Sequence, residues 1–418
     1  MSELDFKPVM NIGMIGHVSD GKSSIVKNLT KIATQKHSDE KTKNITIKLG
    51  YANAKILKCK SCPKPTCYFS LQSECFTYKC PKCNSDAELL NHVSFVDCPG
   101  HNYLLATMIN GTAVMDYTIL VESCSNPNIP APQTVEHVKA ITTNSTNSKI
   151  KNIITCLNKI DLQSKDKTIE QCENLQSYLN SINDKSKLLP VSATFGINMD
   201  IICEILAHLP KPNRNCDIIK MPIIRSFNIN KPGTKVFDLK GGVIGGSIIS
   251  GVITQGEQLY LYPGIILNNS DNDQYKPLKV CVKNIYSEKN ELKEGTPGGL
   301  IGVELDMDPG LTADDGLVGN VLIKEEAGII TKIFSFESND KFKLNKNYIF
   351  NINSNNINGV IKNKNNNRYD VVIEKYVYLE YNNIIIISEQ TNDSIKLIGN
   401  GMFDYKLGNF KSINKFIQ

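Results

Sequence analysis

The 418-residue sequence predicts an α/β domain with a cysteine-rich insert, followed by two β-barrel domains. Three observations lead there. The first half alternates short apolar strands with helix-like segments, as a doubly wound parallel sheet requires. Six of the 13 cysteines crowd between residues 59 and 83. From Met221 onward the pattern changes to short strands punctuated by glycines, among them Gly241-Gly242 and Gly245-Gly246, with no convincing helix. That is the pattern of a small closed barrel. The length agrees, since one hydrophobic core does not grow to this size and two or three domains are expected.

The first domain opens on Gly16-His17-Val18-Ser19-Asp20-Gly21-Lys22-Ser23, which has the form G-x-x-x-x-G-K-[ST]. It lies between an apolar stretch, Val9 to Ile15, and a helix-like segment, Ser24 to Ala33. A phosphate-cradling loop needs that strand–loop–helix context. Glycines let backbone N–H groups curl around a phosphate, and the helix N-terminus adds a favourable dipole. Ser19, Asp20, Gly21, Lys22, Ser23 and Ser24 are therefore the expected phosphate contacts. Lys22 would reach the terminal phosphates, and the Ser23 hydroxyl would ligate Mg²⁺.

Further strand ends add to this loop. Val93 to Val96 is a short apolar strand running into Asp97-Cys98-Pro99-Gly100-His101. A carboxylate there, Asp97, can hold Mg²⁺ through water, and the Gly100 N–H can touch a γ-phosphate. Ile153 to Leu157 is another strand, closed by Asn158-Lys159-Ile160-Asp161. The Asp161 carboxylate can accept from N1–H and the 2-amino group of guanine. Adenine offers neither donor, so a buried Asp would be left unpaired and discrimination would be steep. Asn158 would bond the base edge, and the Lys159 stem would cover its face. Leu188 to Val191 leads into Ser192-Ala193-Thr194, a turn suited to bond the guanine carbonyl through backbone N–H. The order and strand-end placement of these motifs identify GTP or GDP as the ligand. The expected chemistry is phosphoryl transfer to water, so the fold class becomes an α/β P-loop GTPase domain with a zinc-ribbon insert and two β-barrels.

The insert, residues 55–88, carries Cys59-Lys60-Ser61-Cys62 and Cys80-Pro81-Lys82-Cys83 with 17 residues between the pairs. That is zinc-ribbon spacing, and soft thiolates select Zn²⁺. Cys67 and Cys75 are left over, and either could replace a ligand of the first pair, since Pro63-Lys64-Pro65 makes that loop irregular. A disulfide framework is the alternative. Met1 to Phe6 has no apolar signal-peptide core, and a GTP-binding chain belongs in a reducing, cytoplasmic setting where thiolates bind metal or stay free. A ribbon that has drifted and lost its metal is the other alternative. A closed ligand set would make the zinc structural. Cys98, Cys156 and Cys172 sit in apolar contexts and read as core.

Pro210 to Asn213 reads as a linker. The expected domains are 1–210, 218–327 and a shortened third at 328–418. The segment from Asn351 to Asn367 is crowded with asparagine and reads as a drifted loop. No apolar run approaches membrane-spanning length, and Ile384 to Ile387 is only a strand. The net charge of +5 permits nucleic-acid contact without arguing for it.

Several stretches resemble the gamma-subunit family of eukaryotic and archaeal translation initiation factor two, relatives of elongation factor Tu. They are Asn44 to Ala52, Val93 to His101, Pro132-Gln133-Thr134 with Glu136-His137, Asn230 to Gly233, Leu239 to Ser247 and Pro297 to Val303. The resemblance covers residues 9–330 strongly. It implies that Thr46 is the switch-one threonine, ligating Mg²⁺ when the γ-phosphate is present. It implies that His101 positions the attacking water, with Lys22 stabilising charge as the second catalytic residue. The implied partners are alpha and beta subunits, methionylated initiator tRNA, the small ribosomal subunit, and GTPase-activating and nucleotide-exchange factors. The first barrel would help hold the aminoacyl end of the tRNA and dock the alpha subunit.

Three positions depart from the family. Asp20 stands where the family has His, and its carboxylate is expected to point away from the phosphates. Asn102 replaces an acidic residue. Between Ser388 and Gly401 only Lys396 remains where relatives are richly basic. A GTPase carrying elongator or selenocysteinyl tRNA is a rival reading, which the Cys59–Cys83 insert and the Lys48-Leu49-Gly50-Tyr51-Ala52 tract oppose. A GTP-sensing scaffold without tRNA delivery is another, motivated by the third domain.

Overall fold

The structure is a computed structural model that describes residues 3–34, 46, 48–144, 150–214, 218–269, 272–325, 328–391 and 394–403. The predicted tract Asn44 to Ala52 lies partly outside the described residues. The chain forms two compact units, Met1–Asn213 with Gly298–Leu300, and Arg214–Pro297 with Ile301–Gln418.

In the first unit the elements run α1 (Glu3–Phe6), β1 (Met10–Ile15), α2 (Lys22–Thr30), β2 (Gly50–Cys59), β3 (Tyr68–Gln72), β4 (Ala87–Asp97), α3 (Leu105–Thr112), β5 (Tyr117–Ser123), α4 (Pro132–Asn144), β6 (Lys151–Asn158), α5 (Lys165–Ser181), β7 (Lys187–Pro190) and α6 (Met199–Ala207). One seven-stranded sheet has the order β3-β2-β4-β1-β5-β6-β7. β1 is buried at all six positions, and β5 at all seven, as expected of central strands covered by helices on both faces. Met10, Ile12 and Met14 pack with Ile25, Val26 and Leu29 of α2 and with Ile202 and Leu206 of α6.

The pairing registers bring the functional loops together. Met14 lies opposite Asp97 and Ile15 opposite Leu120. Ser123 lies opposite Asn158, and Leu157 opposite Pro190. The loops after β1, β4, β6 and β7 therefore leave the same carboxyl edge of the sheet, where α/β folds bind ligands.

The sheet is not wholly parallel as expected. β2 pairs antiparallel with β4 from Gly50↔Asp97 to Cys59↔Ala87, and antiparallel with β3. The reason is the insert. β2 and β4 are two arms of one long ribbon whose far end carries the cysteines, and a ribbon that turns back on itself must be antiparallel.

The second unit holds two barrels. The first is built from β8 (Lys220–Phe227), β9 (Val243–Gly246), β11 (Gln258–Asn269), β12 (Asn272–Ser287), β15 (Ile301–Leu305) and β16 (Val321–Ile323), with β10 (Ile253–Thr254), β13 (Asn290–Leu292) and β14 (Glu294–Gly295) as short additions. The ring order is β11-β16-β8-β9-β15-β12, closed by β12 on β11. Its core includes Ile223, Ile244, Leu259, Val282 and Val303. The second barrel contains β17 (Gly328–Glu337), β18 (Asn347–Ile352), β19 (Asn355–Asn365), β20 (Arg368–Glu380), β21 (Ile384–Gln390) and β22 (Ile395–Phe403), closed in the order β17-β20-β19-β18-β21-β22. Phe334, Phe336, Phe350 and Phe403 form an aromatic centre with edge-on contacts.

The asparagine-rich segment is a strand and not the expected loop. β19 pairs on one side with β18 and on the other with β20. Ile357, Gly359 and Ile361 are buried, whereas Asn356, Asn358 and Lys362 are not. The alternation of period two marks a half-buried strand, and the outward asparagines obscured it. Among the described residues no helix is long and apolar enough to cross a membrane.

Candidate guanine-nucleotide and metal site

The loop after β1 closes around a cavity of about 320 Å³. Ser19, Gly21, Lys22, Ser23 and Ser24 line one wall, and Thr46, Gly100 and Lys159 contribute from other segments. Two glycines are required by their surroundings. Gly21 has φ 94°, and a Cβ there would lie 2.3 Å from Asn158 Nδ2. A Cβ on Gly100 would lie 2.4 Å from Lys22 Nζ and 2.6 Å from Val18 N, so the Asp97–His101 loop sits directly on the phosphate loop. α2 begins at Lys22, two residues before the predicted start, because Gly21 in the left-handed region is its N-cap.

Lys22 is buried, and its Nζ donates to Gly16 O at 3.0 Å and His17 O at 2.6 Å. Burial lowers its pKa, opposed by Asp20 and Asp97. Beside it lies a set of hard oxygen donors. Ser23 Oγ donates to Asp97 Oδ2 at 2.6 Å and lies 3.1 Å from Thr46 Oγ1. Thr34 Oγ1 donates to the same Asp97 oxygen at 2.5 Å. Hydroxyls and a carboxylate gathered at a phosphate cradle suit Mg²⁺, which prefers oxygen ligands shared with substrate phosphates.

Asp20 is turned away from the cavity, as expected, but it faces the protein interior. Its Oδ2 accepts from His17 N at 3.0 Å and its Oδ1 from Asn126 Nδ2 at 3.0 Å. Burial, followed by the Glu122 charge, raises its pKa to about 7.

At the base end Asn158 ties three segments together. Its Nδ2 donates to Asp20 O at 2.8 Å, and its Oδ1 accepts from Ala193 N at 3.1 Å. Lys159 adopts the left-handed conformation, φ 63°, immediately before the turn Ile160–Leu162. Ser192 is buried and Thr194 exposed, in a turn where Ser192 and Ile197 exchange backbone hydrogen bonds. Asp161 is exposed, which corrects the expectation of a buried carboxylate. It is not part of the cavity lining, and a bound base would have to cover it. His101 stands outside the cavity lining, half-buried, with its ring stacked on Tyr103 at 5.3 Å and 16°.

Sequence reasoning missed Thr34, Asn28, His137, Glu122 and Asn126 as parts of this site. Asn28 Nδ2 donates to Ala193 O at 2.9 Å. His137 Nδ1 accepts from Gly16 N at 3.2 Å, and burial lowers its pKa to about 3, so the ring is a neutral acceptor. None of these has a local spacing that marks it.

Far along the ribbon, the sulfurs of Cys59, Cys62, Cys80 and Cys83 all lie within 4.8 Å of one another. Cys59–Cys83 and Cys62–Cys83 are 3.5 Å apart and Cys62–Cys80 3.8 Å. Four sulfurs each at about 2.3 Å from one zinc would be spaced by about 3.8 Å, so the cluster fits a tetrahedral S₄ site. Hydrogen bonds from the side chain and backbone of Ser85 lower the Cys83 pKa to about 6, which favours a thiolate. Cys67 and Cys75 are not members of the cluster. Burial pushes the Cys156 thiol up to about 12 and Cys98 and Cys172 also upward, as inert thiols require.

The family model for the elongation factor Tu GTP binding domain matches residues 7–212. The gamma subunit of eukaryotic translation initiation factor 2 from Encephalitozoon cuniculi is 38% identical over 94% of this chain and 92% of its own length. Subunit 3 of that factor from Drosophila melanogaster is 42% identical over 75% of this chain and 67% of its own length. The gamma subunit from Schizosaccharomyces pombe is 43% identical over 75% and 71%. Among solved structures, bacterial selenocysteine-specific elongation factor EF-Sec matches 98% of this chain with TM-score 0.72 and 19% identity, and the chain spans 61% of it. SelB from Methanococcus maripaludis, in complex with the GTP analogue GPPNHP, gives TM-score 0.70 and 18% identity over 99% of this chain and 82% of its own. At such identity these structures speak for the fold alone. The sequence relatives go further: the chain is a GTP-binding, GTP-hydrolysing translation initiation protein, and it belongs to the gamma-subunit family of eukaryotic translation initiation factor 2.

Proposed function

We propose that this chain is the GTP-binding subunit of a heterotrimeric initiation factor. With alpha and beta subunits it carries methionylated initiator tRNA to the small ribosomal subunit in the cytoplasm, and it hydrolyses GTP on start-codon selection. The observation that carries this reading is the 38% identity to an initiation-factor gamma subunit across 94% of the chain, barrels included. The proposed division is a GTP-binding domain to residue 210 and barrels at 218–327 and 328–418.

In this reading backbone N–H groups from Ser19 to Ser24 cradle the phosphates. Lys22 exchanges its two carbonyl partners for phosphate oxygens, and Gly100 N–H meets the γ-phosphate. Asp161 reads the guanine N1–H and 2-amino group, Thr194 presents its backbone N–H to the guanine carbonyl beside an Ala193 N–H engaged by Asn158 Oδ1, and Lys159 covers the ring. Asn158 acts by holding the phosphate loop and the Ser192–Thr194 turn in register. Ser23, Thr46 and Asp97 would hold Mg²⁺, which supplies charge neutralisation at the β- and γ-oxygens. Cys59, Cys62, Cys80 and Cys83 would hold a structural zinc. His101 must leave its stack on Tyr103 to orient the attacking water. That movement makes intrinsic turnover slow and leaves room for acceleration by an activating factor, while an exchange factor restores GTP.

Co-expression with the alpha and beta subunits tests the assembly. A stable complex with one copy of each is expected by size-exclusion chromatography with light scattering. A chain that elutes alone at micromolar concentration would contradict it.

A further inference from the structure

Behind the phosphate loop two carboxyl groups meet on one nitrogen. Asn126 Nδ2 donates to Asp20 Oδ1 at 3.0 Å and to Glu122 Oε1 at 2.5 Å. Asp20 is 1% exposed and Glu122 0%. The other partners are neutral donors. His17 N donates to Asp20 Oδ2, Ala131 N to Glu122 Oε1, and Thr134 Oγ1 to Glu122 Oε2 at 2.6 Å.

The charged and titratable groups that face the pair are few. Lys22 attracts both carboxylates, but its ammonium is engaged by Gly16 O and His17 O. Burial lowers the pKa of His17 and takes that of His137 to about 3, and it raises the Tyr178 phenol. Two carboxylates that share one amide donor, both withdrawn from water, resist ionising together, so the pair offers one proton site that empties as pH rises. Burial raises both groups, and Asp20 reaches about 7.

We propose that Asp20 and Glu122 are positioning residues for the nucleotide reaction: a carboxyl pair with one shared proton site that braces the phosphate loop and fills that site when guanine nucleotide binds. The coupling is direct. Asp20 holds the loop through His17 N–H, and its carbonyl holds Asn158. When Lys22 turns to the phosphates the pair loses its cation while negative charge arrives in front of it. Both changes favour the protonated pair. By linkage, affinity must then fall as pH rises. Stability has the same sign. The Asp20 pKa is raised from about 3.9 in an unfolded chain, so its stabilising share is present at low pH and lost as pH rises through about 7. The proposal rests on nucleotide binding and not on tRNA delivery.

Calorimetry of Mg²⁺–GDP binding to the full chain, in two buffers of different ionisation enthalpy near pH 7, counts the protons exchanged. Net uptake of up to one proton is expected, with affinity falling several-fold between pH 6.5 and 8.5. Glu122→Gln should abolish the uptake and flatten the pH dependence, and Asp20→Asn should do the same independently. A brace with no proton would weaken binding in both variants equally at every pH. Tight GDP binding with no proton exchange in the unmodified chain overturns the proposal and leaves the nucleotide site intact. So does an unchanged pH slope in both variants.

Discussion

Asp97 accepts from both Ser23 and Thr34 at the phosphate cradle, while His101 stacks on Tyr103 beyond it. Phosphate and guanine chemistry dictate residue type and spacing, so Lys22, Ser23, Asp97, Asn158 and Asp161 are site residues that the chain alone proposes. Thr34 was not, although its hydroxyl donates to the same Asp97 oxygen as Ser23 does. It reaches Asp97 through the fold, and no sequence interval encodes that. The Glu122–Asn126–Asp20 contact was hidden for the same reason, with 101 residues between the two carboxyl groups. His101 was read by family resemblance. Its ring is stacked on Tyr103 and is not part of the cavity lining. His101→Ala should therefore leave GTP affinity unchanged and slow factor-stimulated hydrolysis by about 10²- to 10⁴-fold, the usual worth of a positioned acid–base group. Single-turnover hydrolysis with the activating partner present is the check, and an unchanged stimulated rate removes His101 from the mechanism.

Elements were legible where the periodicity was clean. The alternating half of the chain gave its strands and helices because β1 and β5 are continuously buried and the helices present one apolar face. Three elements were obscured. β2 and β3 run antiparallel because the ribbon that carries the cysteines must return on itself, a constraint of topology and not of local sequence. β19 was masked by asparagines on its outward positions, while Ile357 and Ile361 pointed into the barrel. The ribbon itself carries a prediction. Four thiols spaced as a tetrahedral site needs, two of them buried, should bind one zinc per chain. Its removal by a chelator should lower the thermal stability of the first unit, since structural zinc contributes folding free energy of order 10 kcal/mol in isolated zinc modules. Elemental analysis with a thermal melt checks this. A metal-free native chain whose four thiols react freely with a thiol reagent would instead mark a ribbon that has lost its zinc.

At the scale of the whole molecule, two closed barrels accompany the GTPase unit, and the second barrel is complete despite its drifted composition. On β19 the asparagines Asn356 and Asn358 stand on outward positions while Ile357 and Ile361 are buried, so the barrel closes around an apolar core. Between Ser388 and Gly401 Lys396 is the one cation of the sequence, in a stretch where the family resemblance implies richly basic relatives. Phosphate contacts dominate nucleic-acid affinity, and each one lost flattens its salt dependence. Cargo binding by this chain is accordingly expected to be less salt-sensitive than in basic relatives and still dependent on GTP. The most direct measurement is binding of methionylated initiator tRNA to the assembled factor, with a GTP analogue or with GDP, against elongator methionyl-tRNA. Tight, initiator-selective binding with the GTP analogue and at least tenfold weaker binding with GDP is the expected result. Equal or absent binding in both nucleotide states would contradict the carrier role and leave a GTP-sensing scaffold.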